Sequence, residues 1–390
     1  MTRPAREEYA AALRARYHAA GKQERGRILD EFCRTTGLHR KAAIRRLRRP
    51  APRGARRRGR PRRYGPALVP ILRRLWELSD RPCSKLLAPG LPTLVEALER
   101  HGALPLAPAL RAPLLALSPA TLDRLLAPVR RRLGRQPRGR RASAATLKGQ
   151  IPLRTFGEWQ GVAPGALQGD LVLHCGEHTA GFYLTSLVAV DVATSWTELE
   201  AIWGLGQQRV AGGVHRVRQR LPVPLRAWHV DNGSEFINRV LVPWCRREGI
   251  HLTRGRVYRK NDQAWVEQKN WVAVRRLVGY DRYRSRAAYL VLQRLYRLLR
   301  LQLNFLRPVR KLLSKQRVGA TVRKRYDVAQ TPYQRLLAAG VLSEAQRQAL
   351  EREFLALNPA TLAPAISQTL DMLWTLRERH DRAKMEGTVR

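Results

Sequence analysis

The chain has 390 residues, enough for roughly two to four domains. Hydrophobic residues make up 44% and charged residues 27%, as in ordinary globular proteins. The charge balance is unusual, because 74 Lys and Arg residues against 30 Asp and Glu residues give a formal net charge of +44. Only ten of the basic residues are Lys, and Arg suits bidentate contacts with phosphate or guanine, although GC-rich coding also enriches Arg. This balance favours a polyanionic partner, with nucleic acid as the first candidate.

The cysteines and the N-terminus exclude several classes of protein. Cys33, Cys83, Cys175 and Cys245 include no close pair, which excludes a disulfide scaffold and a Cys-rich zinc module. The first residues, MTRPAREEYA, lack the apolar core of a signal peptide. No stretch reaches the roughly 18 apolar residues of a membrane helix. We therefore expect a soluble cytoplasmic protein with no membrane partner.

The first 50 residues predict a small helical DNA-binding domain. A helix with Ile28 and Phe32 ends at Thr36-Gly37, and a basic helix with Leu47 follows. This order of helix, glycine turn and basic helix is typical of a helix-turn-helix. We expect the apolar residues to form a core and the basic side chains to face DNA, with a plain helical hairpin as the alternative. The candidate DNA contacts are Arg40, Lys41 and Arg45.

Two Arg-rich segments, at 51–65 and 130–158, are predicted linkers because neither can bury an apolar face. In the first, Arg58-Gly59-Arg60-Pro61 resembles the core of an AT-hook, a short segment that lies in the DNA minor groove. A plain charged linker is the equal alternative. The candidate DNA contacts of this segment are Arg58, Arg60 and Arg62.

Residues 66–129, between the linkers, predict a second helix-turn-helix domain. One amphipathic helix carries Leu68, Leu72 and Leu75. A later helix is expected to begin at Ser118-Pro119, a favourable pair for the N-cap and first turn.

Residues 159–284 change to an α/β pattern. Three apolar strands are predicted at 167–175, 182–191 and 196–204, followed by a helix at 205–220, a strand at 226–231, a helix at 235–247, a strand at 250–254 and a helix from 262. This order indicates a mixed sheet whose first three strands are antiparallel. Residues 285–390 predict a mainly helical C-terminal domain with a capping box at Ser343 and Gln346, while the basic stretch at 310–326 fits no element clearly.

Three acids in the α/β region form a candidate metal site. Asp170 lies in the first strand, Asp231 ends the fourth strand, and Glu267 follows on a helix. These positions can converge at one edge of a mixed sheet, where carboxylate oxygens suit Mg²⁺ or Mn²⁺ better than zinc. Two nearby acids compete with Asp170 as the first member: Glu177 in a turn and Asp191 at the end of the second strand.

The motifs DNGSEF (231–236) and NDQAWVEQKNW (261–271) resemble the catalytic core of retroviral integrases and bacterial insertion-sequence transposases, the RNase H-like D-D-E superfamily. HCG at 174–176 and AQTPYQRLL at 329–337 resemble one bacterial group with N-terminal helix-turn-helix units and a helical tail. The resemblance implies a DDE transposase that cleaves the ends of its mobile element and transfers them into target DNA. A domesticated, non-catalytic DNA-binding regulator is the alternative, and a simple RNase H-like nuclease is a third interpretation.

The resemblance also implies the cofactors and partners. Asp170 and Asp231 would share one metal ion, and Asp170 and Glu267 a second, so that two ions serve one active site. The partners would be double-stranded DNA, both terminal inverted repeats and target, and further copies of the chain in a synaptic complex of the bacterial nucleoid.

DNA contacts near the third acid are less well defined. Retroviral integrases carry a Lys one turn beyond the helical Glu, where this chain has Trp271. His174 and Cys175 are expected to pack or to support the site rather than bind metal. The remaining candidate DNA contacts are Arg259, Lys260, Gln263, Lys269 and Asn270, and for Gln263 and Asn270 a solvated polar face is the alternative.

Overall fold

The computed structural model describes residues 1–48, 64–65, 67–132, 161–231, 233, 235–256, 263–318 and 321–378. It divides into two compact units, Met1–Tyr64 and Gly65–Arg390. Residues 49–63 and 133–160 lie outside the described part, and with them the AT-hook-like residues Arg58, Arg60 and Arg62. None of the described helices is long and apolar enough to cross a membrane.

The first unit is a bundle of three helices, α1 (Arg3–Ala19), α2 (Lys22–Thr36) and α3 (Arg40–Leu47). Ile28, Phe32 and Leu47 are fully buried at its centre. Gly37 ends α2 with a φ of 69°, a left-handed conformation that glycine adopts at little cost. The basic side chains of α3 that were predicted to lie outside the core are exposed, namely Arg40, Lys41, Arg45 and Arg48.

The second unit opens with four helices, α4 (Leu68–Leu78), α5 (Ser84–Arg100), α6 (Pro108–Leu115) and α7 (Pro119–Arg132). Ser118 Oγ accepts a hydrogen bond from Thr121 N at 3.3 Å, so α7 begins as expected. These helices pack against the C-terminal half of the chain: Thr93 Oγ1 accepts from Gln334 Nε2 at 3.2 Å. Residues 66–129 thus belong to the same compact unit as the sheet, whereas the sequence predicted a separate domain.

A mixed five-stranded sheet is the centre of the second unit. Its strands are β1 (Ala166–Leu173), β2 (Thr185–Asp191), β3 (Thr197–Ile202), β4 (Ala227–Val230) and β5 (His251–Arg254), in the order β3-β2-β1-β4-β5. The first three strands are antiparallel, and β4 and β5 run parallel to β1. Helix α8 (Gln207–Arg220) leads from β3 to β4, and helix α9 (Leu241–Arg247) connects the parallel strands β4 and β5. The predicted mixed sheet is confirmed, with β1 next to the strand that ends before Asp231.

Helix α9 is shorter than the helix predicted at 235–247. Asn238 Oδ1 accepts hydrogen bonds from the N–H groups of Val240 and Leu241, each at 2.9 Å, and holds the preceding residues in a turn. An Asn that bonds to nearby backbone in this way competes with helix formation.

The helix that carries the third acid changes its geometry along its length. An α-helical part, α10 (Ala264–Lys269), continues as a π-helix at Asn270–Arg275 and ends as α11 (Arg276–Val278). Helix α12 (Arg286–Leu301) likewise continues as a π-helix at Gln302–Leu306. Asn304 in this second π-helix bonds to the N–H and C=O of Thr197 at 2.8 and 2.9 Å, and so covers part of the edge of β3.

The C-terminal region contains a β-hairpin that the sequence did not predict. Strands β6 (Leu312–Val318) and β7 (Thr321–Tyr326) pair antiparallel, and we refer to them as the basic ribbon. Helices α13 (Pro332–Ala338), α14 (Glu344–Ala356) and α15 (Pro359–Thr375) follow. The capping box predicted at Ser343 and Gln346 is present, and Thr331 and Gln334 form another. The region is mainly helical, with the ribbon as its exception.

Candidate active site

Asp170 lies in the middle of the central strand β1, on the face that meets α10. Side chains two residues apart on a strand share one face, so Gln168, Asp170 and Val172 point the same way. Val172 packs in one core cluster with Val266 of α10, and Gln168 Oε1 accepts a hydrogen bond from Val266 N at 3.3 Å. The buried amide of Gln168 therefore ties the strand of the first acid to the helix of the third.

Asp231 follows the end of β4, next to the centre of β1. Because β4 runs parallel to β1 with His229 opposite Gln168, the chain leaves β4 close to Asp170. Gly233 N donates to Asp231 Oδ1 at 2.9 Å. A Cβ at Gly233 would lie 2.9 Å from that same oxygen and closer still to Glu235 Oε2, so only glycine fits the turn without a shift of these carboxylates.

The charges of Asp231 and Glu267 act on the carboxyl group of Asp170. The pKa of Asp170 is raised to about 7, first by burial of the carboxyl group and then by the negative charge of Asp231, with Glu267 adding to the effect. Hydrogen bonds from Leu171 N at 2.8 Å and Asn270 Nδ2 at 2.5 Å act in the opposite direction. Among the described residues, no three His, Cys, Asp or Glu side chains are grouped closely enough to hold a metal ion. The acids thus share one electrostatic environment without forming a closed ligand set.

The donor chemistry of this site fits a divalent cation. A raised pKa at Asp170, caused in part by two further carboxylates, means that a positive charge placed among them would favour the ionised form. Oxygen ligands of this kind suit Mg²⁺ or Mn²⁺. His174, a potential nitrogen ligand, is fully buried, with its Nε2 bonded to Ser186 Oγ at 2.6 Å.

Asn270 and Gln263 flank Glu267 in different ways. Asn270 is the first residue of the π-helix and bonds directly to Asp170, while its Oδ1 is buried and has no hydrogen-bond partner among the described residues. Gln263 precedes α10, and its buried Nε2 also has no hydrogen-bond partner among the described residues. Both residues are half-buried, and a role for Asn270 in orienting Asp170 follows from its hydrogen bond.

The structure does not place Lys269 where a DNA contact was expected. Its side chain is buried, and burial together with the charge of Arg307 lowers its pKa to about 7. A buried ammonium group cannot reach a phosphate in this conformation. Trp271 is 37% exposed two residues later. Arg259 and Lys260 lie outside the described residues.

Two acids that competed with Asp170 in the sequence have other surroundings. Asp191 is buried; its Oδ1 accepts from the N–H and hydroxyl of Thr194, each at 2.7 Å, and its Oδ2 accepts from Gly165 N at 2.7 Å. It caps the turn between β2 and β3. Glu177 is exposed, next to Gly176 in a turn.

Sequence reasoning missed two residues that organise this region. Gln168 could have been found from its position two residues before Asp170, because a buried amide on the same strand face needs a partner. Asp80, in the turn after α4, accepts hydrogen bonds from Arg276 Nη1 at 2.9 Å and from Arg307 Nη1. Nothing local in the sequence indicates that pairing, since the partners lie 196 and 227 residues away.

Residues 163–260 match the family model of the integrase core domain. The match contains Asp170 and Asp231 and ends seven residues before Glu267. Together with the strand order, it defines the protein as one with an RNase H-like integrase core. The chain belongs to the same family as the uncharacterized protein y4rM of Sinorhizobium fredii (strain NBRC 101917 / NGR234), to which it is 43% identical over 330 residues, 85% of this chain and 94% of that protein.

Two solved structures are similar to parts of the chain. The catalytic core domain of BIV integrase is 20% identical, with 45% of this chain and 95% of that chain covered and a TM-score of 0.29. A chain in the structure of the simian T-cell lymphotropic virus intasome in complex with PP2A regulatory subunit B56 gamma is 18% identical, with 34% of this chain covered and a TM-score of 0.27. This chain spans 46% of the length of that intasome chain.

Proposed function

We propose that the protein is a DDE transposase that binds the ends of its mobile element, cleaves them and joins them to target DNA. The observation that carries the proposal is the placement of the acids in an integrase core: Asp170 lies on β1 beside the end of β4, which Asp231 follows, and the helix of Glu267 is bonded to the same face of β1 through Gln168. A protein that only binds DNA gains nothing from holding three carboxylates near a phosphodiester, because they repel it.

Asp170 and Asp231 would hold one Mg²⁺ or Mn²⁺ ion, and Asp170 and Glu267 a second. Such ions supply charge neutralisation of the attacking and leaving oxygens during phosphoryl transfer. In the first step water attacks a phosphodiester at the element end, and the 3′-oxygen leaves as a free 3′-OH. In the second step that 3′-OH attacks a target phosphodiester, a new P–O bond forms, and the bond to the 3′-oxygen of the target strand breaks so that this oxygen leaves as a 3′-OH. Neither step needs a covalent protein intermediate.

The side chains around the acids hold them in position. Asn270 Nδ2 fixes one oxygen of Asp170, and Leu171 N fixes the other. Gly233 N orients Asp231, and Gln168 keeps the helix of Glu267 against β1. A site with such supports loses little free energy to reorganisation when substrate binds.

Recognition of the element ends is assigned to the first helical unit. Helices α2 and α3 with the turn at Gly37 form the helix-turn-helix, and α3 would enter the major groove. Arg40, Lys41 and Arg45 lie exposed on α3, although Arg40 is paired with Asp30 and would have to exchange that partner for DNA. Assembly of several copies on two element ends would complete the synaptic complex in the bacterial cytoplasm.

A strand-transfer assay on DNA from both flanks of the gene tests the proposal. Wild-type protein with Mg²⁺ should nick this DNA and join it to a target, and Glu267→Gln should lose both reactions while it still binds the ends, because Gln keeps the shape and loses the charge. If wild-type protein binds the ends specifically and never cleaves them, the non-catalytic regulator is correct. A variant that joins pre-nicked ends at the wild-type rate would contradict the single-site model.

A further inference from the structure

The basic ribbon is exposed over almost all of its described residues. All six residues of β7 are exposed, and so are residues 313–317 of β6. Cross-strand register assigns the side chains to two faces, since opposed residues share a face and alternate along each strand. One face carries Lys315, Arg317 and Lys324, and the other carries Arg323 and Arg325.

The charges of the ribbon have no acidic counterparts among the residues that the structure describes. None of its five cationic side chains forms an ion pair with any described residue. The strands themselves, Leu312–Val318 and Thr321–Tyr326, contain no acid. Some arginines elsewhere in the unit are paired, as Arg300 is with Glu198 and Glu353.

The arrangement is unfavourable for the protein alone. Lys315 and Lys324 are directly opposite in the ladder, and like charges at such positions destabilise a strand pair. A two-stranded hairpin is at best marginally stable in water without a further layer. A polyanion bound to the ribbon would offset the repulsion between these cationic side chains. Unpaired positive charges at these positions are therefore favourable when such a ligand is bound.

The root of the ribbon is fixed to the catalytic sheet. Lys311 Nζ donates to Ala193 O at 2.7 Å, in the turn that Asp191 caps. Asp327 accepts from Lys311 N at 2.7 Å and pairs with Arg335 at 2.7 Å. Asp191 is opposite Leu167, three residues before Asp170, so the root lies roughly 15 Å from the candidate active site.

We propose that the basic ribbon binds duplex DNA by lying in its major groove. The major groove, about 12 Å wide and about 8.5 Å deep, admits a two-stranded β-ribbon, and strands of this length reach roughly 23 Å. The inference rests on the proposed function for the identity of its polyanion, and it adds a DNA contact separate from the helix-turn-helix. The ribbon keeps the duplex near the acids, while the first helical unit selects its sequence.

The test compares DNA binding by full-length protein and by the triple variant Lys315→Gln, Arg317→Gln and Lys324→Gln. Affinity is measured by fluorescence anisotropy on an element-end duplex and on a random duplex, over a range of salt concentrations. We expect both affinities to fall at least about tenfold and the slope of log K against log salt to shrink by about 2.7, since each lost phosphate contact removes about 0.9. Gln preserves the exposed strand and removes a like-charge pair, so the fold should be retained.

A matched control removes three charges from elsewhere in the same unit. Arg294, Arg297 and Arg352 are exposed, and none forms an ion pair with another described residue. Their change to Gln should alter affinity by less than about twofold and the salt slope by less than one. The double variant Arg323→Gln and Arg325→Gln removes the charges of the other ribbon face and repeats the test. It replaces the triple variant if that variant does not fold.

Each outcome decides the inference. If wild-type protein binds neither duplex, the proposed function and the ribbon inference both fail. If wild-type protein binds and the ribbon variants bind equally well, or the control loses as much, the ribbon inference alone is wrong. A ribbon variant with unchanged DNA affinity and altered self-association would identify the ribbon as a contact between copies of the chain.

Discussion

His174 illustrates how burial fixes the charge of a single residue beside the candidate active site. It is fully buried, its Nε2 contacts Ser186 Oγ, and that hydroxyl also bonds to Tyr296. Burial, assisted by the charge of Arg275, lowers the pKa of His174 to about 3. The imidazole is therefore neutral near pH 7 and acts as a packed, hydrogen-bonded core group, as the sequence predicted.

The same shift makes stability depend on pH. Below about pH 6.5 the unfolded chain protonates this histidine while the folded protein does not, so unfolding takes up a proton between about pH 6.5 and pH 3. The free energy of unfolding should therefore decrease as the pH is lowered through that window, by about 1.4 kcal/mol per pH unit from this residue. Urea unfolding at several pH values should give a shallower slope for His174→Asn than for wild type. His251→Asn, at an exposed site, is the control, and equal slopes for all three proteins would contradict the assignment.

At the scale of elements, the contact between β1 and β4 depends on a glycine beside the first acid. A Cβ at Gly169 would lie 2.9 Å from Trp228 Cε2 and closer still to Cζ2, and Trp228 is fully buried. Gly169→Ala should lower the free energy of unfolding by about 1–3 kcal/mol, because the rigid indole has no room to move. Denaturant unfolding measures this change.

The matched substitution for that experiment is Gly212→Ala in α8. Its Cβ would meet only the flexible end of Arg216, at 3.4 Å. Alanine in a helix should leave stability unchanged or raise it by up to about 1 kcal/mol. Equal effects of the two substitutions would show that Trp228 does not restrict Gly169.

The elements differ in how far local sequence determines them. The strands of the sheet were predictable because apolar β-branched runs alternate with clear helices and turns, and this placed Asp170 and Asp231 on neighbouring strands. The basic ribbon was not predictable, because its cationic residues lie on both faces and remove the alternation of apolar and polar residues that marks a strand. The π-helix at Asn270–Arg275 depends on packing around the site and has no local signal.

At the scale of the whole second unit, Asp80 joins the helices that precede the sheet to the integrase core. It lies in the turn after α4 with a φ of 63°, a left-handed conformation that Asp tolerates better than most residues. Its carboxylate pairs with Arg276, at the end of the helix of Glu267, and with Arg307, after α12. Long-range ion pairs of this kind have no sequence signature, which is why residues 66–129 were predicted to stand apart.

Asp80→Asn should destabilise the second unit by about 3 kcal/mol, since it leaves two largely buried guanidinium groups without an anion. Thermal unfolding should show the loss. Asp371→Asn removes an exposed acid from α15 and should leave the melting temperature unchanged. A melting temperature for Asp80→Asn equal to that of the control would show that the pairing does not hold the helices to the core.

The central claim, that Asp170, Asp231 and Glu267 serve one catalytic site, is tested most directly by single-turnover cleavage of element-end DNA with Mg²⁺. The variants are Asp170→Asn, Asp191→Asn and Glu177→Gln, each at equal concentrations of folded protein. We expect Asp170→Asn to lose cleavage entirely, while Glu177→Gln and the folded fraction of Asp191→Asn keep most of it. An active Asp170→Asn beside an inactive but folded Asp191→Asn would contradict the account.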